Sequence, residues 1–386
     1  MIKLNVEIRH DFRRMDMKYN LKPDERATLE LRGIYEKYGY KKYKIGKFEE
    51  YSLYATNRDF LIGDKVLSFT DLDGRLLAMK PDVTLSVINN TSATKEKSEK
   101  LYYIENVYRE NRENHCFKEI SQMGLEYMGC INRYSVLEVI TLAAISLKTI
   151  DPDYLLEISH MHYVLDLLDD LDIDEAVYFE LLNNIRQKNM TGIQYIVSRE
   201  GLDERYRDLL CRLPFLYGEM NKTIKKARSM AINDKMLKDL DELQEYCSAL
   251  KGLGYGKNIQ LDLSMVNDVD YYNGIVFNGY IRDLPGCVLA GGQYDKAMNR
   301  FGKDAGAVGF AIYLDELTKG RMPASKYDVD AVLLYSSNDK MQDVMKAVKT
   351  IQKEGFSVRA ETDIPECLRY RYRYRLTEGH PVKEEI

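Results

Sequence analysis

The stretch from Leu101 to Gly129, LYYIENVYRENRENHCFKEISQMGLEYMG, constrains the fold more than any other. It opens on an aromatic and apolar run (Leu101, Tyr102, Tyr103, Ile104, Val107, Tyr108) and closes on a second (Ile120, Met123, Leu125, Tyr127, Met128). A charged segment with Arg109, Arg112, Lys118 and Glu119 lies between them. Two strand-like runs around a polar loop predict a long antiparallel hairpin. The two-residue period of a strand puts Ile120, Gln122, Gly124, Glu126 and Met128 on one face and Ser121, Met123, Leu125 and Tyr127 on the other. Gln122 and Glu126 then point the same way, about 13 Å apart at most, and Gly124 predicts open space between them. With Arg109 at the loop entrance, this floor suits a small cationic or zwitterionic ligand. Taken alone, the same pattern also describes a half-exposed sheet face with solvated charges.

The rest of the chain supplies helices and further strands. Asp24 to Tyr38 starts after Pro23, is acidic at its beginning and places Leu29, Leu31, Ile34 and Tyr35 at helical spacing, which predicts an amphipathic helix. Gly39 ends it, and Tyr43 to Tyr51 is expected as a strand. Val66 to Thr70 and Arg75 to Met79 flank Asp71-Leu-Asp-Gly, a hairpin turn. Asp82 and Thr84 fall at the junction to a short helix, Thr84 to Asn90, where helix capping alone would justify either residue. Ser135 to Leu147 is expected as an apolar helix and Tyr154 to Ile158 as a buried strand. His160 and His162 follow; a metal needs a third ligand, and no nearby Cys or third His supplies one, so no metal site is expected. From Tyr163 to Leu253 the apolar spacing is helical almost throughout, without a basic stripe. Ile259 to Leu263, Ile275 to Ile281 and Cys287 to Ala290 are expected strands, and Ala307 to Leu317 a strand turning into a helix. Tyr271, Tyr272 and Tyr294 offer aromatic faces and phenolic hydroxyls to a ring-bearing ligand, or they are core.

After Arg321, Asp328 to Tyr335, Lys340 to Glu354 and Ser357 to Ala360 spell one β-α-β unit. Arg369 to Arg375, RYRYRYR, alternates cations with aromatics. That suits stacking on RNA, and equally an edge strand with Arg on one face, which is the reading favoured here.

Composition narrows the classes. No run of eighteen apolar residues occurs, and MIKLNVEIRHDFRRMD lacks the apolar core of a signal peptide, so a cytoplasmic protein with no membrane partner is expected. The formal net charge of −5 argues weakly against nucleic acid as a partner. Six scattered cysteines without C-x-x-C spacing suggest neither zinc knuckle nor disulfide framework.

Four separated motifs carry a family resemblance. Arg109 with its loop and the Gln122/Glu126 strand resembles motif 2 of class II aminoacyl-tRNA synthetases in the histidyl-tRNA synthetase version. MKPDVT (Met79 to Thr84) looks like that family's histidine-contacting segment, and VNDVDYYNGIVF (Val266 to Phe277) like its histidine signature. GGQYD (Gly291 to Asp295) and AVGFAIYLDEL (Ala307 to Leu317) continue the series. The resemblance implies an α+β fold: a class II synthetase-like antiparallel sheet flanked by helices over residues 1–323, a helical insertion at about 163–255, and a truncated C-terminal α/β unit over 324–386 in place of a full anticodon-binding domain. It also implies histidine-binding roles for Asp82, Thr84, Arg109, Gln122, Glu126, Tyr271, Tyr272 and Tyr294.

Departures from the family pattern fall on its ATP half. Asn267 stands where the histidine signature has Arg. Tyr313 and Glu316 stand where motif 3 has Gly and its phosphate-binding Arg. Asn111 replaces an acidic residue and Gln293 an Arg. An acid repels a triphosphate, and a ring fills nucleotide space. A broken ATP site beside an intact amino-acid site resembles the regulatory subunits of ATP phosphoribosyltransferase. That family implies no catalytic residues, no cofactor, a short-form catalytic subunit as partner, histidine as effector, and a homodimer within a hetero-oligomer serving histidine biosynthesis. The alternatives are a histidyl-tRNA synthetase or a tRNA-sensing module.

Overall fold

A computed structural model describes residues 21–58, 61, 65–111, 114–266, 271–319 and 327–384. Arg112, Asn267, Arg321 and the N-terminal segment weighed above lie outside these residues. The described chain falls into two compact units, one over Pro23–Leu317 and one that includes the residues from Thr318 on. The strands of the first unit are β1 (Lys41–Lys42), β2 (Phe48–Glu50), β3 (Ser68–Thr70), β4 (Leu76–Met79), β5 (Glu99–Asn111), β6 (Cys116–Gly129), β7 (Tyr154–His160), β8 (Tyr217–Glu219), β9 (Ile259–Asp262), β10 (Ile275–Ile281), β11 (Cys287–Gln293) and β12 (Gly306–Tyr313). Nine of them form one sheet in the order β1-β5-β6-β12-β11-β10-β7-β9-β8, while β2, β4 and β3 form a small second sheet. Pairing in the large sheet is antiparallel except for β1 with β5 and β7 with β9. The result is an α+β architecture.

The predicted hairpin is β5 and β6, paired in unbroken register from Glu99 with Met128 to Asn111 with Cys116. Its two faces look into two different cores. Tyr102, Met123 and Leu125 join the larger one, built with the helix Arg133–Ile150. Tyr103, Val107 and Met128 join a second one, with Val83, Leu85 and Ile88 of the helix Val83–Asn90 and with Tyr54, Tyr271 and Tyr294. The tip, Cys116 to Glu119, is exposed, but further along the ribbon lies between the two cores, so the half-exposed reading of the Gln122/Glu126 face is overturned: both side chains are buried. Charges entering such a layer need partners. Lys80, only 1% exposed, places its Nζ 2.7 Å from Glu105 Oε2 on β5, and Glu105 Oε1 accepts from the Ile45 amide at 3.3 Å.

The first helix spans Pro23–Lys37 and packs on Arg133–Ile150, where the Tyr35 and Ser146 hydroxyls pair at 2.8 Å. The strand expected over Tyr43 to Tyr51 shrinks to β2, because the chain turns into a helix at Tyr51. Tyr54 on that helix is buried and donates back to Glu49 at 2.8 Å, which holds the turn. Helices His162–Leu168, Glu175–Arg186, Met190–Arg199, Glu204–Arg212, Met220–Met230 and Asp234–Gly252 make up the helical segment. It also returns one strand, β8, to the edge of the large sheet, which helical periodicity concealed.

In the second unit, β13 (Val329–Leu334), the helix Met341–Lys353 and β14 (Val358–Glu361) form the expected β-α-β unit with parallel pairing. β15 (Tyr370–Thr377) and β16 (His380–Glu384) extend its sheet. From Tyr370 the RYRYRYR segment lies in β15, parallel with β13 and, from Arg373 on, antiparallel with β16, so it belongs to an interior strand and not to the expected edge. The alternation itself holds: Tyr374 and Leu376 are buried on one face, and on the other Arg373 and Arg375 converge on Glu384 at 2.5 Å each. That acid offsets the positive face an RNA would need.

Removing one partner of a buried ion pair leaves the other charge desolvated, at a cost of about 3–5 kcal/mol. Lys80→Ala is therefore expected to destabilise the chain by that amount in urea unfolding. Tyrosine fluorescence reports the transition, since the sequence has 30 Tyr and no Trp.

Candidate functional site

The helix Val83–Asn90 begins with Asp82 as its N-cap, and Asp82 Oδ1 accepts from the Leu85 amide at 2.9 Å. Capping uses one carboxylate oxygen and leaves the other for Arg109, whose Nη2 lies 3.4 Å from Asp82 Oδ2. Arg109 also donates from Nε to the Pro81 carbonyl at 2.8 Å. It lies beside the Tyr313 phenol, which burial pushes up and the guanidinium draws back down. The strand-to-helix junction thus presents an acid and a base side by side.

One turn deeper, Glu126 is 2% exposed. Thr84 Oγ1 donates to its Oε1 at 3.0 Å and the Tyr294 hydroxyl to its Oε2 at 2.5 Å. Burial pushes the Glu126 carboxyl up to about 8, against the opposing pull of the Tyr294, Thr84 and Tyr103 hydroxyls and with a further upward contribution from Asp82. Desolvation wins here because the donors are neutral hydroxyls and, among the described residues, no cation is paired with the carboxylate. The phenols of Tyr103, Tyr271 and Tyr294 are pushed well above their ordinary value by burial, so they remain donors. Tyr271 sits edge-on to Tyr272 with ring centres 4.7 Å apart, and its ring is 5.5 Å from that of Tyr294. A buried acid without a fixed countercharge, ringed by aromatic faces, suits a ligand that brings both a cation and a ring.

Close backbone approach makes room for this acid. A Cβ on Gly309, opposite Glu126 across β12, would stand 1.8 Å from Glu126 Oε2. Gly124 has a different purpose from the one expected. A Cβ there would meet Tyr103 Cζ at 2.0 Å, so the space predicted above this glycine is filled by the Tyr103 ring from the paired strand. Tyr103 is therefore a site residue that sequence reasoning missed; the aromatic-opposite-glycine register was its only signal.

Of the eight expected residues, Thr84, Glu126, Tyr271, Tyr272 and Tyr294 form one cluster, with Asp82 and Arg109 adjoining it. Gln122 lies further along the same face of β6, paired with Glu105 and with Tyr313, and is buried. Asp295 was also missed. Its carboxylate accepts from Gln293 Nε2 at 2.6 Å, Asn273 Nδ2 at 3.2 Å and the Ala307 amide at 2.8 Å, clasping the turn that carries Tyr271 and Tyr272 to the end of β11. Gln293 thus serves an internal clasp. Towards the end of β12, Tyr313 adjoins Arg109, and the Ser121 amide donates to Asp315 at 3.1 Å.

Comparison with known proteins gives the family and the fold. The profile of the family described as Histidyl-tRNA synthetase matches residues 20–317. The chain is 30% identical over 336 residues to the ATP phosphoribosyltransferase regulatory subunit of Clostridium acetobutylicum, covering 84% of this chain and 82% of that one. It is 29% identical over 329 residues to the subunit of the same name from Alkaliphilus metalliredigens, covering 83% of each. Among solved structures it superposes on an ATP phosphoribosyltransferase regulatory subunit/histidyl-tRNA synthetase from Bacillus halodurans with TM-score 0.73, 23% identity and 88% coverage of both chains. It also superposes on a chain of the ATP phosphoribosyl transferase complex from Thermotoga maritima with TM-score 0.60, 21% identity, and coverage of 74% of this chain and 96% of that one.

The state of Glu126 is open to test. Its folded pKa lies above its ordinary 4.5, at about 8, so between these values the folded chain holds a proton that the unfolded chain gives up. Stability from this group is present below the lower value and is lost as pH rises through the upper one. Glu126→Gln is expected to remove that fall: the stability difference between variant and wild type should shift in the variant's favour from pH 5 to pH 8 in urea titrations.

Proposed function

The chain belongs to the histidyl-tRNA synthetase-like family that includes the ATP phosphoribosyltransferase regulatory subunits, and within it we propose that this protein is a histidine sensor without catalysis of its own. On this reading it associates with a short-form ATP phosphoribosyltransferase catalytic subunit, activates it for the first step of histidine biosynthesis, and lowers its activity when histidine occupies the Glu126 pocket. The observation that carries the proposal is the buried Glu126 carboxylate, which has hydroxyl donors and, among the described residues, no cation. Histidine brings an ammonium for such an acid, a ring for Tyr271, Tyr272 and Tyr294, and a carboxylate suited to Arg109. The nucleotide side argues against aminoacylation: Tyr313 adjoins Arg109, and Glu316 adds negative charge where the family binds phosphate. The partner finds support in the Thermotoga complex, one chain of which shares this fold. Assembly as a homodimer within a hetero-oligomer is part of the same proposal.

Inhibition requires histidine to bind two states of the assembly with different affinity. The test is condensation of ATP with phosphoribosyl pyrophosphate by a short-form catalytic subunit, with and without this chain, across a histidine titration. Activity is expected to rise on addition of the chain and fall with histidine. Losing hydrogen bonds to a charged group costs about 1.5–3 kcal/mol, so Glu126→Ala should raise the half-inhibiting histidine concentration by roughly 10- to 100-fold. No activation refutes the partner, and unchanged inhibition in Glu126→Ala refutes the pocket.

Calorimetry gives a second expectation that needs no partner. At pH 7 Glu126 is protonated before the ligand arrives, and an incoming ammonium favours its ionised form. Histidine binding is therefore expected to release protons, seen as a binding enthalpy that varies with the buffer's ionisation enthalpy. Glu126→Gln should abolish that variation.

A further inference from the structure

Away from the pocket, His160 closes β7 and His162 opens the next helix, and both face the helix Asp234–Gly252. Ligating atoms of His160, His162 and Asp239 all lie within 4.8 Å of one another. The sequence offered no third ligand because Asp239 comes from a helix far along the chain. His160 is 3% exposed, and its Nδ1 has no hydrogen-bond partner; neither has the buried Oδ2 of Asp239. Buried polar atoms that leave their bonding capacity unused are rare and costly. His160 Nδ1 stands 3.7 Å from Asp239 Oδ1, too long for a hydrogen bond. Two ligand atoms on a tetrahedral ion with bonds of about 2.0–2.1 Å are separated by about 3.3 Å, close to what is seen.

We propose that His160, His162 and Asp239 bind one divalent transition-metal ion of the zinc class, with the remaining position taken by water. Imidazole nitrogens and a carboxylate are the donor set that zinc accepts. A candidate outer partner stands nearby, beyond hydrogen-bond distance. Glu242 Oε2 lies 4.0 Å from His160 Nε2, the nitrogen turned away from Asp239, and Glu242 Oε1 accepts from the Tyr246 hydroxyl at 2.7 Å. Carboxylates in this position orient metal-bound imidazoles.

The ion would tie the helical segment to the large sheet beside the pocket. His160 pairs with Ile275 on β10, and the Met161 amide donates to the Gly274 carbonyl at 2.8 Å, two residues beyond Tyr272.

The experiment uses the full chain, stripped with a chelator and then dialysed against Zn2+, with metal content, calorimetric affinity and melting temperature as readouts. Expected are a single ion per chain and a melting temperature that rises with Zn2+, since an ion that binds only the folded state stabilises it. Glu242→Gln should weaken binding about 10- to 100-fold, as outer partners do, and His162→Ala and Asp239→Asn by more. His115→Ala, at an exposed histidine elsewhere, should leave binding unchanged. Binding that survives both His162→Ala and Asp239→Asn overturns the site. Wild-type protein alone decides the matter if the variants misfold: no uptake of Zn2+, or a cobalt adduct showing thiolate charge-transfer bands, overturns it, whereas an intense tetrahedral cobalt spectrum without them supports it.

Discussion

Away from its exposed tip the β5–β6 ribbon is buried on both faces, and the rest of the structure follows from that constraint. An antiparallel pair with one wet face can carry charge on alternate residues at little cost. Here Met123 and Leu125 enter one core while Tyr103, Val107 and Met128 enter another, so each ionisable residue between them must find its partner inside the protein. Glu105 does so by pairing with Lys80. Glu126 does so only in part, with hydroxyls that compensate for lost water and not for charge. The difference between these two acids on neighbouring strands separates a structural ion pair from the proposed binding site.

That difference also sets what the pocket accepts. A carboxyl held up at about 8 is largely neutral at physiological pH, and a cationic ligand completes it by supplying the missing charge. An anion has nothing to gain at the same place. At the Arg109 end the chemistry is reversed, but Arg109 is already engaged by Pro81, Asp82 and Tyr313. One guanidinium shared among these groups suits a single carboxylate better than the several charges of a triphosphate.

The hairpin and the facing of Gln122 and Glu126 were legible because a two-residue period and a polar turn are local signals. What covers a face is not local. The second core is assembled from Tyr54, Val83, Tyr271 and Tyr294, all far from the hairpin in sequence, and their presence turned a half-wet face into a buried one. The same limit hid Tyr103, whose ring enters the space above Gly124 only because the two are register partners. It hid Asp239, which reaches His160 from another helix, and β16, whose pairing makes an interior strand of RYRYRYR. Local chemistry, such as the Asp82 cap and the Gly-Gly of β11, was readable; tertiary neighbours were not.

On the proposed reading, ionisation of Glu126 is itself the change that a ligand makes. Hydrogen bonds to a carboxylate are shorter and roughly twice as strong as those between neutral groups. When a cation ionises Glu126, the bonds from Thr84 and Tyr294 strengthen together, and they arise from three separate elements: β6, the helix Val83–Asn90 and the turn after β11. Occupancy thus draws on a helix terminus and a loop at once, while the Asp295 clasp on Asn273 and the Met161–Gly274 bond hold the residues that follow Tyr272. A partner that favours the looser arrangement of these elements lowers the affinity for histidine, and by reciprocity histidine weakens that partner-favoured state. Each tenfold difference in affinity between the two arrangements shifts their balance by about 1.4 kcal/mol, which is within the gain from converting two neutral hydrogen bonds to charged ones.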